Sequence, residues 1–147
     1  EMLRSLVGSE MCIRDSVNGI RRSNIVTDIE QAMNEGRAVW TDLAHKTDSV
    51  WVFYDKYPVT EGHLLFVPAH ENYACVMKCY EAAYSMGMEG VIAEQWDGFN
   101  VGQNFGESAG QTVMYPHVHM IPRRKGDMAD PRGGVRHVIP EKGNYKK

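Results

Sequence analysis

The chain has 147 residues, 43% hydrophobic and 24% charged, with 16 Lys and Arg against 19 Asp and Glu for a net charge of −3. That length suffices for one domain with its own core, without a disulfide framework. There is no run of about 18 apolar residues to span a membrane, and no repeat period or low-complexity tract of a fibrous or solenoid protein.

Charge is divided unevenly. From Arg123 to Lys147, eight basic residues stand against three acidic ones, a net +5, while the preceding 122 residues carry −8. A basic tail on an acidic body fits a local anionic partner such as phosphate, or equally a solvated end. The acidic body argues against a nucleic-acid binder, which shows a broader basic face.

Glu1–Ser16 reads EMLRSLVGSEMCIRDS and resembles a translated sequencing-adaptor stretch, expected to be a non-native extension outside the fold. Arg4, Glu10, Arg14 and Asp15 break any apolar run in it, so it does not read as a signal peptide. The domain is expected over residues 17–124, followed by a basic tail over 125–147. Val135, Val138 and Ile139 in that tail suggest docking on the body.

Thr27-Asp28 before Ile29–Glu35, with Gly36 behind, reads as a capped helix. Ala38–Thr41 is expected as a first strand and Val50–Tyr54 as a second. Pro58–Gly62 is a turn leading to a strand at His63–Val67, so the last two strands form a hairpin. From Asn72 to Glu94, Ala74, Val76, Met77, Tyr80, Ala83 and Tyr84 recur at helical spacing. One or two helices follow, with a break near Gly87 or Gly90, and Met77, Met86 and Met88 are expected to fill the core. Cys75 and Cys79, at i and i+4 of that helix, are too far apart for a disulfide and lack zinc-knuckle spacing. They are expected as buried reduced thiols, which suits a cytoplasmic setting. Phe99–Asn104 reads as a strand, Gly106–Gly110 as a tight loop and Thr112–Arg123 as a long last strand, with no regular element beyond Arg124. The class is α+β: an antiparallel sheet of about five strands with helices packed on it.

The chemistry concentrates in the last strand. His117 and His119 alternate with Val118 and Met120, so both imidazoles share a face with Tyr115 and Ile121. Such a pair serves metal ions as readily as phosphates or plain packing. Met120-Ile121-Pro122 excludes the HxHxDH pattern of metal hydrolases. Gly106–Gly110 offers backbone N–H groups to phosphate, but without a Lys-Ser/Thr pair it is not a Walker loop.

The stretch Asn104–Arg123, containing Gly110-Gln-Thr-Val113 and Tyr115-Pro-His-Val-His119, resembles the signature of the histidine-triad (HIT) family. Phe53–Pro68, with Asp55 and His63 eight apart, resembles the same family's hairpin, and the likeness runs from about Ile25 to Arg124. Tyr115 stands where the pattern has its first histidine. The resemblance implies a HIT-like fold and a nucleophile at His117, with His119 contacting phosphate and leaving group. His63 would be a supporting histidine, and the Tyr115 hydroxyl a stand-in for the missing imidazole in that relay. Asn104, Gly110, Gln111, Thr112 and Val113 would hold phosphate oxygens, and Asp55 ribose hydroxyls. Phe53 and Phe66 would wall the base or belong to the core.

The implied function is hydrolysis of a dinucleoside polyphosphate such as diadenosine tetraphosphate through a nucleotidyl-histidine. Alternatives are a nucleoside phosphoramidase or aminoacyl-adenylate hydrolase, and a nucleotide-binding module with little turnover. The expected partner is a purine nucleotide, with neither nucleic acid nor membrane, and the family resemblance implies a homodimer. No tightly bound cofactor and no protein-held metal are expected; magnesium would arrive with a polyphosphate. Arg123, Arg124 and Lys125, or Arg136 and His137, are candidates to reach distal phosphates.

Overall fold

The structure, a computed structural model, describes residues 26–146. Glu1–Ser16 therefore lies outside the described residues. Helix α1, Asp28–Asn34, starts at a capping box: Glu30 N–H donates to the Thr27 hydroxyl at 3.4 Å, and Thr27 N–H to the Glu30 carboxylate at 2.9 Å. Its inner face buries Ile29 and Ala32.

The stretch 38–41 is not a strand. Ala38 N–H is bonded to the Ala32 carbonyl of α1, and Ala38 and Trp40 pack onto the sheet rather than pair within it. The first strand comes later, as β1, Leu43–Lys46, paired with β2, Val50–Tyr54. Strand β3, Leu64–Pro68, completes the expected hairpin, in register from Val50 opposite Pro68 to Tyr54 opposite Leu64. Both strands are apolar at successive positions because both sheet faces are covered. Val50, Val52, Leu64 and Phe66 face the long helix, while Trp51, Phe53, Leu65 and Val67 face α1 and Trp40.

Helix α2 runs unbroken from Tyr73 to Ile92, capped by the Asn72 side chain, which accepts Cys75 N–H at 2.8 Å. Gly87 and Gly90 do not interrupt it. A Cβ at Gly87 would overlap the Phe99 ring, and one at Gly90 the Trp96 indole, so the glycines mark close packing. The buried stripe is Cys75, Cys79, Ala82, Ala83, Met86, Gly87 and Gly90. These small residues let α2 lie close on the sheet. The stripe expected from bulky residues is displaced: Met77, Tyr84 and Met88 are exposed, and Met86 alone of the three methionines fills the core. Cys75 and Cys79 are free, buried thiols.

Strand β4, Gly98–Gly102, is an edge, and β5, Val118–Arg123, lies between it and β3. The sheet order is β1-β2-β3-β5-β4, with every neighbouring pair antiparallel. The last strand begins at Val118 rather than Thr112: the Gln111 side chain bonds to the Val113 and Met114 carbonyls of its own loop, the Tyr115 hydroxyl to the Pro68 carbonyl at the end of β3, and these bonds hold the segment out of the ladder. Beyond Arg124 the chain does form regular turns, a 3-10 segment at Gly134–Val138 and a short helix α3, Pro140–Gly143. Arg136 holds them together, donating to the carbonyls of Gly143 and Lys142 at 3.2 Å each. Val135, Val138 and Ile139 are exposed, so they do not carry the docking expected of them; Gly134 beside Asn100 is where the tail meets β4. No helix among the described residues is long and apolar enough to cross a membrane.

Candidate active site

The β2–β3 hairpin and β5 bring four polar side chains together. Asp55 follows β2, His63 precedes β3, and His119 is the second residue of β5, opposite Leu65. Across this junction His63 Nε2 lies 2.9 Å from His119 Nδ1 and 3.5 Å from Asp55 Oδ2. The rings of His117 and His119 are 5.3 Å apart.

Backbone groups fix which nitrogen of each ring carries the proton. Val59 N–H donates to His63 Nδ1 at 3.1 Å, so that nitrogen is an acceptor and the neutral ring carries its proton on Nε2. His63 Nε2–H then donates to His119 Nδ1, which leaves His119 with its proton on Nε2. His117 Nδ1–H donates to the Tyr115 carbonyl at 2.8 Å, so its Nε2 keeps a bare lone pair. Two imidazoles two residues apart thus hold opposite roles, His117 an acceptor or nucleophile and His119 a donor. Burial, together with the neighbouring His117 and His63 rings, lowers His119 to about 4 against the opposing charge of Asp55. Burial also lowers His63, again opposed by Asp55. Both rings are therefore held neutral.

Asp55, His63 and His119 place one donor atom each within 4.8 Å of one another, close enough to consider a metal. Histidines that ligate metals normally donate from their second nitrogen. Here the second nitrogen of His63 accepts from Val59, so the proton on Nε2 faces the other two groups. The set fits a hydrogen-bonded relay better than a metal cage.

Tyr115 does not enter this relay. Its hydroxyl donates to the Pro68 carbonyl at 2.7 Å, and the ring is fully buried among Trp51, Phe53 and Leu65 on the α1 side. Burial raises its phenol well above the usual range. The residue acts on His117 through its backbone carbonyl, and His63 pairs with His119 rather than with position 115. Asp55 Oδ1 accepts Tyr57 N–H at 2.7 Å while Oδ2 faces His63 at 3.5 Å.

Strand β4 ends at Gly102, opposite His119, so Asn104 and the following loop begin beside the histidines. Gly106 and Gly110 have φ of 87° and 88°, which glycine alone adopts at no cost, and flank a short 3-10 turn. Gln111 clamps the loop. Its Oε1 accepts Gly106 N–H at 2.8 Å, and Nε2 donates to Val113 and Met114 carbonyls at 3.1 Å each. Both Nε2 hydrogens are therefore committed within the protein, contrary to the direct phosphate contact expected of this side chain. Gly110 and Thr112 are exposed, whereas Asn104 and Val113 are half-buried. Phe53 is 2% exposed and Phe66 fully buried on the α2 side, so Phe66 walls no site on the histidine face.

The sequence reading missed Trp40, whose ring lies 4.9 Å from that of His117 and 6.0 Å from Phe53. It also missed Val59, whose contribution is a backbone N–H.

The HIT domain model matches residues 38–126, more than half of the chain and all of this histidine cluster. The chain belongs to the HIT domain family. An uncharacterized HIT-like protein of Saccharolobus solfataricus is 32% identical over 87 residues, which cover 54% of this chain and 63% of that relative. The match thus spans less than two thirds of that relative's length. A HIT family protein of Bacillus anthracis is 25% identical with a TM-score of 0.54, over 69% of this chain and 77% of that one. A zinc-bound histidine triad family protein of Mycobacterium smegmatis is also 25% identical, with a TM-score of 0.57 over 67% and 76%. The five-stranded antiparallel sheet with its packed helices is the HIT fold, a nucleotide-binding type that serves hydrolases and transferases.

Proposed function

We propose that this HIT protein hydrolyses a dinucleoside polyphosphate, such as diadenosine tetraphosphate, by forming a nucleotidyl-histidine on His117. The observation that carries the reading is the bare Nε2 of His117, fixed by the Tyr115 carbonyl at 2.8 Å. A neutral imidazole held in that tautomer is a ready nucleophile. Its attack forms a P–N bond at the α-phosphorus and breaks the P–O bond to the rest of the polyphosphate. The ring becomes positive, and the Tyr115 carbonyl stabilises that charge. His119, held as a donor by His63, gives its Nε2–H as a hydrogen bond to the oxygen on which negative charge builds. Water then breaks the P–N bond, its oxygen remaining on the nucleotide and its proton passing to solvent. The backbone N–H groups of Thr112 and Val113 and the Thr112 hydroxyl hold phosphate oxygens, while those of Gly110 and Gln111 donate within the turn, to Glu107 at 2.9 Å and Gly106 at 3.1 Å, and Asn104 closes that side. Magnesium accompanies the polyphosphate. The base is a purine resting against Trp40, which takes the place expected of Phe53.

We extend the reading to a homodimer. Tyr73, Met77, Tyr84, Met88 and Ile92 form an exposed apolar stripe along one side of α2, on the face turned away from the sheet. The free thiols fit a reducing, cytoplasmic setting.

The test is incubation with diadenosine tetraphosphate and magnesium, beside His117→Ala, with products resolved by chromatography. AMP and ATP from the parent alone support the reading, whereas ADP alone places cleavage at the central linkage and refutes it. Turnover of adenosine phosphoramidate in place of the tetraphosphate selects the phosphoramidase reading, and turnover of neither selects a binding module.

A further inference from the structure

The turn between β2 and β3 supplies the group that places the proton on His63, and packing does not hold that turn. From Lys56 to Glu61 every residue except Thr60 is exposed, Tyr57 by 80% and Val59 by 69%. Yet the Val59 N–H in the middle of it meets His63 Nδ1 at 3.1 Å. A backbone amide stays on a ring nitrogen only where the backbone around it is fixed from elsewhere.

Here it is fixed from β5. The Thr60 hydroxyl donates to the Pro122 carbonyl at 2.6 Å, and one Arg124 nitrogen donates to the Glu61 carbonyl at 2.9 Å. The β3–β5 ladder ends with Leu64 opposite Met120, so the Thr60 bond extends the contact past the last paired residues. Pro122 has no N–H with which to continue a ladder. Gly62, at φ 88°, passes so close to the Pro122 ring that a Cβ on it would lie 3.3 Å from Cγ. Thr60 is also tied to His63 directly, since its carbonyl accepts His63 N–H at 3.2 Å. One residue thus holds β5 with its side chain and His63 with its backbone, while Val59 beside it holds the ring.

Strand β5 carries both ends of this arrangement. His119 receives His63 Nε2–H at 2.9 Å, and three residues later, roughly 10 Å along the strand, Pro122 receives Thr60. If Val59 N–H withdraws, His63 Nδ1 is free to carry the proton in place of Nε2. His63 Nε2 then becomes an acceptor, and its bond to His119 survives only with His119 Nδ1 as the donor. That leaves His119 Nε2 bare. No proton is gained or lost; each ring exchanges one protonated nitrogen for the other.

We propose that Thr60 is a positioning residue, whose hydroxyl on Pro122 keeps the turn closed over His63 and so keeps the proton of His119 on Nε2. What His119 does with that proton rests on the nucleotide reading above. What Thr60 does to the two rings rests on the hydrogen-bond geometry alone.

Long-range proton–nitrogen NMR of the imidazoles in the full chain reads which nitrogen is protonated. The comparison is between the parent, Thr60→Val, which keeps the shape without the donor, and Thr60→Ser, which keeps the hydroxyl. The parent is expected to show protonated Nε2 and bare Nδ1 on both His63 and His119. In Thr60→Val the two nitrogen shifts of each ring are expected to converge as both tautomers become populated, and in Thr60→Ser to stay as in the parent. Backbone amide shifts remote from the turn verify that each variant is folded. With diadenosine tetraphosphate and magnesium, kcat of Thr60→Val is expected to fall roughly tenfold, with KM within about twofold and the serine variant restoring the rate. Ring shifts that stay parental in a folded Thr60→Val overturn the proposal, whatever its turnover. So does an unchanged kcat once the shifts have converged, or a rate that serine fails to restore. If the parent itself turns over no nucleotide, the nucleotide reading fails, while the ring shifts still decide the role of Thr60.

Discussion

Replacing Tyr115 by Phe separates two accounts of this residue. If its hydroxyl stood in for a missing triad imidazole, the variant would lose turnover and keep its stability. The structure predicts the reverse. The hydroxyl donates to the Pro68 carbonyl at 2.7 Å, and the side chain is fully buried. Removing it costs one hydrogen bond and leaves a buried carbonyl without that partner, about 1–2 kcal/mol together. For a domain of this size each kcal/mol shifts Tm by roughly 4 °C, so a drop of about 4–8 °C is expected. Turnover should stay within about twofold, since His117 Nδ1 is held by the backbone carbonyl of residue 115, which Phe also supplies. Tyr115→His, which restores the triad pattern, is expected to be less stable still, because it places a smaller polar ring among Trp51, Phe53 and Leu65. It should be no faster. Thermal unfolding by circular dichroism and nucleotide hydrolysis measured on the same samples decide the matter. A rate loss of tenfold or more at unchanged Tm would refute the reasoning.

Three further outcomes follow from the geometry. His119, held near 4 in the fold, and His63, also depressed, take up protons more readily in the unfolded chain. Their contribution to stability is full above about pH 6.5 and is lost as pH falls towards about 4, so urea midpoints should decline across that window; a flat profile contradicts the relay. Gln111→Ala removes three hydrogen bonds that shape the loop, and KM is expected to rise roughly tenfold. A compensating exchange to Glu should not restore it, because Glu offers no donor to the Val113 and Met114 carbonyls. Gly90→Ala drives a methyl into the Trp96 indole and is expected to cost about 1–3 kcal/mol in denaturant unfolding. An unchanged midpoint would show that Trp96 can move aside.

What could be read from the sequence was what neighbours along the chain determine. The capping box of α1, the β2–β3 hairpin and the span of α2 all rest on residues a few positions apart. The errors arose where a distant partner overrides local pattern. Gly87 and Gly90 look like helix breaks until Phe99 and Trp96 are found lying on them. Ala38–Thr41 has the apolar character of a strand, but its Ala38 N–H is already taken by α1. The bulky residues of α2 suggested one buried face, whereas close approach to the sheet selects Cys75, Cys79, Ala82 and Ala83, which carry a weaker hydropathic signal.

The candidate site divides along the same line, with a chemical consequence. The spacing of His117 and His119 shows two imidazoles but not that they differ. The difference comes from one backbone N–H at Val59 and one backbone carbonyl at Tyr115, set against them by the fold. A main-chain group is indifferent to the side chain that carries it. Residue 115 can therefore orient the nucleophile whatever its identity, provided the loop holds its carbonyl in place. Its side chain is left to serve packing, and a buried tyrosine tethered to Pro68 anchors that loop to β3. Tyrosine in place of a histidine is thus compatible with an intact histidine pair, because the bond that orients His119 comes from His63 Nε2, which Asp55 Oδ2 also faces at 3.5 Å, and does not involve the side chain at position 115.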